Sequence, residues 1–172
     1  MSGKGQWVVV VTDTSVLINF LRIDRMDLIA RHSHRFVITG HVVEEITEHY
    51  PEQQARLQAA LADRTLEEMT VSGDVALDLF RILGETRRLG SGESAAIACA
   101  IANGYAIAID DRAAANQARQ LKADIEVLGS QDIMVQLIRS GAIDLAEADR
   151  IKDTWASEHR FRLAIASFRE IL

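Results

Sequence analysis

Five acidic residues stand where a carboxylate can do chemistry. Asp13 follows the apolar run 7–12 (WVVVVT), and Asp110 with Asp111 follows the apolar run 105–109 (YAIAI). Glu45 lies in a segment of helical spacing that begins near His41, and Glu93 opens an alanine-rich one. Carboxylates that converge repel one another, and such a cluster is tolerated mainly when a cation neutralises it. Ligation by oxygen alone selects Mg²⁺ or Mn²⁺.

For these acids to meet, the ends of two strands must lie side by side. Residues 7–12 are almost wholly β-branched, as suits a strand buried on both faces of a parallel sheet, and residues 1–6 read as a loose lead-in. Asp13, Thr14 and Ser15 offer capping chemistry, and Val16, Leu17, Phe20 and Leu21 recur at helical spacing, so a helix starts at the strand's end. The pattern then predicts a helix over 26–32, a strand over 35–38, a helix over 41–49, and a helix over 52–62 opened by Pro51. A long amphipathic helix is expected over 74–89, stopped by Gly90, and another over 93–103, ended by Gly104. A strand over 105–109, a helix over 112–121, a strand over 125–128, helices over 131–140 and 145–159, and a short helix after Leu163 complete the pattern. Strands this apolar, alternating with helices, indicate a three-layer α/β/α sandwich with a central parallel sheet, expected as one domain over 1–172. Ligands of such folds bind at the carboxyl ends of the strands, where Asp13, Asp110 and Asp111 fall.

Helical geometry ranks the glutamates of segment 41–49. At about 100° per residue, the apolar centre of Val42, Val43 and Ile46 lies roughly 105° from Glu45 and roughly 155° from Glu44. Glu45 therefore borders the buried face while Glu44 and Glu48 point outward. Each acid also has an ordinary structural use: Asp13 as a helix cap, Glu93 as a complement to a helix dipole, Glu45 as a solvated charge. Of the pair Asp110 and Asp111, one can cap a helix while the other does chemistry.

Composition narrows the field. The 172 residues carry 19 Lys and Arg against 25 Asp and Glu, a formal charge of −6, which argues against coating nucleic acid by bulk charge. No apolar run approaches the roughly 18 residues of a membrane span. The single cysteine, Cys99, sits in the apolar run 95–102 and cannot form an internal disulfide, which fits a reducing cytoplasm. No Walker-A loop, dinucleotide fingerprint or His-Glu-x-x-His spacing is present. A haloacid dehalogenase needs Asp two residues after Asp13, where Ser15 stands. His32 and His34 flank a short loop and are expected at the surface rather than as metal ligands.

Four segments together resemble the PIN-domain family. VVVVTDTSVLI (8–18) is similar to its opening, VVEEI (42–46) to its second motif, GESAAIA (92–98) to its third and IAIDDR (107–112) to its fourth. LGS (128–130) through GAI (141–143) resembles the tail of one subgroup. The motifs run in order over residues 7–143, followed by the helical stretch 145–172. In the second motif a Val three residues ahead of the acid again favours Glu45. Three positions depart from the pattern: Ile109 in place of Ser or Thr two residues before Asp111, Thr39-Gly40 in place of a proline, and Ala115 in place of Arg. The 5′ flap nucleases share a related fold but carry extra DNA-binding helices.

The resemblance implies a metal-dependent endoribonuclease, a PIN-like nuclease or VapC-type toxin. Asp13, Glu45, Glu93 and Asp111 or Asp110 would hold one or two Mg²⁺ or Mn²⁺ ions, which lower the pKa of a bound water and neutralise the scissile phosphate. Thr14 and Ser15 would orient a ligand or water from behind. Arg112, Arg119 and Lys122 follow the fourth motif and are the candidates for RNA phosphates. The same resemblance implies a small antitoxin partner and a homodimer. The alternative is a catalytically silent module that binds protein or RNA.

Overall fold

The computed structural model describes residues 8–85 and 88–172. Trp7 and the lead-in 1–6, like residues 86 and 87 of the expected helix 74–89, lie outside the described residues. Five parallel strands form one sheet: β1 (Val9–Thr12), β2 (Arg35–Thr39), β3 (Leu66–Met69), β4 (Ala106–Ala108) and β5 (Val127–Leu128), in the order β3-β2-β1-β4-β5. The register sets Val10 beside Phe36 and Ala106, Phe36 beside Leu66, and Ala108 beside Leu128.

Parallel neighbours require crossovers, and helices provide them. Between β1 and β2 run α1 (Thr14–Arg22) and α2 (Met26–Arg31). Between β2 and β3 run α3 (Gly40–His49), a 3-10 turn (Pro51–Gln53) and α4 (Gln54–Ala62). Between β3 and β4 run α5 (Asp74–Gly84) and α6 (Ser91–Asn103), and α7 (Arg112–Leu121) joins β4 to β5. Then come α8 (Ser130–Arg139) and α9 (Leu145–Glu158).

Side chains alternate between the two faces of the sheet. Val10, Phe36, Ile38 and Ala106 join Phe20, Leu28, Leu57, Leu137 and Trp155 in one core, on the side of α1 to α4, α8 and α9. Val11, Val37 and Ile107 point the other way, onto α5, α6 and α7. Crossovers therefore leave β1 and β4 on opposite faces. That reversal is a topological switch point at the carboxyl edge, the place where ligands of such folds bind.

Helix α6 packs on the sheet and on α3, α5 and α7. Ala95, Ala96, Ala98, Ala100, Ile97 and Cys99 are all fully buried there. Burial pushes the Cys99 thiol up to about 11, so it is an inert packing group. Beyond α9 the chain folds back: Asp149 accepts hydrogen bonds from Ser167 Oγ (2.7 Å) and the Phe168 N–H (2.9 Å), and the Phe168 ring is wholly enclosed. Among the described residues no helix is long and apolar enough to cross a membrane.

Three expectations need correction. Strand β3 (LEEM) was not foreseen, because it has no β-branched residue and two glutamates; as an edge strand it needs only β2 beside it, with Leu66 buried and Glu67 paired to Arg35. Helix α5 stops at Gly84 rather than continuing to 89. His32 is buried, its Nε2 2.7 Å from Gln136 Oε1 and its Nδ1 accepting from the His34 N–H, and burial lowers its pKa. Other element ends differ by a few residues, within the usual fraying.

Candidate active site

Asp13 ends β1, its N–H donating to the Ala108 carbonyl of β4 at 2.9 Å. Its extended backbone makes it the N-cap of α1, with Oδ2 accepting from the Ser15 N–H at 3.2 Å. The residue is 1 % exposed, and Oδ1 is buried with no hydrogen-bond partner. Burial above all, with the charge of Glu45 adding to it, pushes the carboxyl up to about 6 against the pull of the Ser15 hydrogen bonds.

Glu93 lies in the first turn of α6, and its Oε2 accepts from the Gly90 N–H at 3.1 Å. Burial, and then the charges of Asp13, Asp111 and Glu45, push it up to about 7. One side chain thus feels three other carboxylates, contributed by β1, α3 and the start of α7. On α3, Glu45 is half-buried and reaches over Gly92 of α6, whereas Glu44 is exposed, as helical geometry required. Asp111 is exposed and caps α7, Oδ1 accepting from the Ala114 N–H at 2.8 Å.

Asp110 has different surroundings. Its Oδ1 accepts from the Ser130 N–H (2.8 Å), and its Oδ2 accepts from Ser130 Oγ (2.6 Å) and Asn19 Nδ2 (3.1 Å). Burial raises its pKa, and the neighbouring charge it feels is that of Asp132. The two neighbours thus differ in surroundings: the charge of Asp111 is felt at Glu93, and Asp110 is held by hydrogen bonds from α1 and α8.

Thr14 and Ser15 lie directly behind Asp13. Ser15 holds Asp13 through its N–H and accepts the Asp110 N–H at Oγ (3.0 Å), while Thr14 Oγ1 is buried without a partner. Arg112 is exposed beside Asp111. Arg119, also exposed, lies about 10 Å farther along α7 at 1.5 Å per residue. Lys122 is not brought to the site. It pairs with Asp124 (3.5 Å) and lines a groove with Val9, Tyr105 and Ala106 at the amino edge of the sheet, the opposite end from Asp13.

Sequence reasoning missed Asn19, Ser94 and Ser130. Each left a signal: Asn19 is the one polar residue in the otherwise apolar buried run 16–21 of α1, and Ser94 is the one hydroxyl in the buried body of α6, its Oγ without a partner. Ser130 follows Gly129 at the start of α8.

The donor set is all oxygen, which suits Mg²⁺ or Mn²⁺. A buried carboxylate oxygen with no hydrogen bond, as at Asp13 Oδ1, is costly unless a cation faces it. As the side chains stand, no three His, Cys, Asp or Glu among the described residues close around an ion. Glu93 and Asp111 each have one oxygen on a helix N–H and one free of it. The residues present therefore fit a divalent cation in kind, with Asp13 as its most enclosed ligand.

A family model described as DUF3368, PIN domain, matches residues 9–172. In structure the chain is similar to a PilT N-terminus domain protein from the hyperthermophilic archaeon Sulfolobus solfataricus, with a TM-score of 0.51 and 16 % identity over 73 % of this chain and 90 % of that one. No curated protein matches the chain.

Proposed function

The chain belongs to the PIN domain family, and from that premise we propose that it is a Mg²⁺- or Mn²⁺-dependent endoribonuclease. PIN domains are typically nucleases. The observation that carries the proposal is the buried Asp13 oxygen that lacks a partner, at the sheet edge where Glu45 packs over Gly92 next to Glu93 and Asp111 caps α7. Asp13, Glu45, Glu93 and Asp111 would hold the ion. Once bound, it would lower the pKa of a water and offset charge on the scissile phosphate.

The chain's own groups set up the rest. The Ser15 N–H fixes Asp13 through Oδ2 and leaves Oδ1 directed away from that bond. Without a cation Glu93 is raised to about 7, and a bound cation would favour its ionised form, in which it serves as a ligand. Arg112, exposed beside Asp111, is placed to meet an RNA phosphate. Attack by water would leave a 5′-phosphate on the product.

A cytoplasmic toxin held by a small antitoxin partner, working as a homodimer, belongs to the same proposal on the strength of the motif order alone. The silent binding module is disfavoured because a buried Asp13 carboxylate, with Glu45 and Glu93 half-buried nearby, costs stability with no return in a scaffold.

The test uses purified protein and single-stranded and structured RNA. Cleavage is expected with Mg²⁺ or Mn²⁺ and is expected to stop with EDTA. Asp13→Asn and Glu93→Gln should each abolish cleavage and keep RNA binding. Both variants cutting as fast as the parent would overturn the proposal in favour of the binding module.

A further inference from the structure

We propose that Asn19, Asp110 and Ser130 form a cross-tie that positions Asp13 and Asp111 for ion binding, a role that rests on the metal-dependent reading above. The sheet alone cannot do this. Pairing between β1 and β4 ends at Thr12 beside Ala108 and the single Asp13 N–H to Ala108 carbonyl bond. From there the chain leaves into α1 on one face and α7 on the other, so the two strand ends need another link.

That link is built from buried polar groups. The two N–H groups of the Asn19 side-chain amide are shared among the Ser15 carbonyl (3.1 Å), Asp110 Oδ2 (3.1 Å) and Ser130 Oγ (3.0 Å). Ser130 gives Asp110 both its hydroxyl and its N–H, so both Asp110 oxygens are occupied, and hydrogen bonds to a carboxylate are the strong kind. Asn19 and Ser130 are 3 % and 0 % exposed, where an unmade polar bond is expensive. The Trp155 indole N–H of α9 donates to the Asn19 carbonyl at 2.8 Å and anchors the far side. Gly129 admits the arrangement, since a β-carbon there would stand 2.9 Å from Asp110 Oδ1.

Two routes lead from the cross-tie to the acids. Asp110 shares a peptide bond with Asp111, so pinning one fixes the backbone from which the other projects. The Asp110 N–H donates to Ser15 Oγ, and the Ser15 N–H donates to Asp13 Oδ2, so a shift at 110 reaches Asp13 through one residue. Asn19, Asp110 and Ser130 are therefore positioning residues, not ligands.

The experiment titrates Mn²⁺ into the purified full chain and into Asn19→Ala, Ser130→Ala and Asp13→Asn, well below each melting temperature. Outer-shell partners of metal ligands commonly change affinity by 10–100-fold, and Asn19→Ala and Ser130→Ala should raise the Mn²⁺ Kd about tenfold. If both lower the melting temperature yet bind Mn²⁺ within about twofold of the parent, the cross-tie is only structural and the inference is overturned. Should Asn19→Ala fail to fold, Ser130→Ala decides alone, because it removes one hydroxyl and keeps the N–H on Asp110. Asp13→Asn separates the two claims. Loss of Mn²⁺ binding there, with no loss in the other two, rejects only the cross-tie, whereas parental binding in Asp13→Asn rejects the metal reading itself.

Discussion

The carboxylate of Glu45 on α3 occupies the space that a side chain at Gly92 on α6 would fill: a β-carbon added to Gly92 would overlap Glu45 Oε2, while its next neighbours, Glu45 Cδ and Val42 Cγ2, stand at ordinary contact distances of 3.5 and 3.6 Å. The only atom in the way is the end of a flexible chain. Gly92→Ala should therefore keep or raise the melting temperature, because alanine is favoured over glycine inside a helix by about 0.5–1 kcal/mol. It should at the same time displace Glu45 and weaken Mn²⁺-dependent stabilisation and RNA cleavage. Thermal unfolding with and without Mn²⁺ reads both effects, and parental activity in Gly92→Ala would remove Glu45 from the ligand set.

Stability of the metal-free protein should fall as pH rises through the acids' folded pKa values. Glu93 goes from 4.5 to about 7 and Asp13 from 3.8 to about 6. The folded state therefore holds protons that the unfolded chain has released, and the stability present at low pH is lost on ascent through 6 and 7. The melting temperature in EDTA should drop between about pH 5 and pH 8, Glu93→Gln should flatten the drop, and saturating Mg²⁺ should oppose it. A melting temperature that climbs over that interval would show that the fold does not raise the pKa values of these acids.

The two ends of α7 should contribute unequally to RNA binding. In an Asp13→Asn background, Arg112→Ala should weaken binding to a single-stranded oligoribonucleotide and lower the salt dependence of log K by about one counterion. Lys122→Ala, at the opposite edge of the sheet and paired with Asp124, should change neither. Fluorescence anisotropy over a salt series distinguishes them, and equal effects of the two would place the RNA elsewhere.

Phe168 is predicted to be as much a core residue as any in the sheet. It is fully buried against α9 although it lies four residues from the end of the sequence, and Asp149 holds its N–H. Phe168→Ala should cost about 3–5 kcal/mol in urea unfolding. Asp149→Asn should cost less, since only hydrogen bonds at a partly exposed site are weakened. A loss under about 1 kcal/mol for Phe168→Ala would mean that the tail docks only loosely.

What the sequence disclosed follows from where its signals are periodic. Strand β1 is nearly pure valine, so its buried, parallel character is written in composition, and the 3.6-residue period placed Glu45 inward and Glu44 outward. Strand β3 has no such signal: its partner on β2 and the burial of Leu66 create it, and local preference for LEEM does not. The different surroundings of Asp110 and Asp111 are not legible in the sequence because both follow the same strand. The difference comes from Asn19 and Ser130, 91 residues before and 20 after Asp110. The burial of His32 is hidden from the sequence for the same reason, since its ring meets Gln136, 104 residues away.

The alanines of α6 have a consequence for how this chain can change. A helix that meets its neighbours through methyl groups has no slack: adding volume at 95, 96, 98 or 100 cannot be absorbed by a rotamer change and must lift the whole cylinder. Glu93 rides on the first turn of that cylinder. Side-chain volume along the body of α6 therefore acts as a spacer for Glu93 at its tip. Ala→Val at these sites would retune the gap between Glu93 and Asp13 without altering a single polar atom.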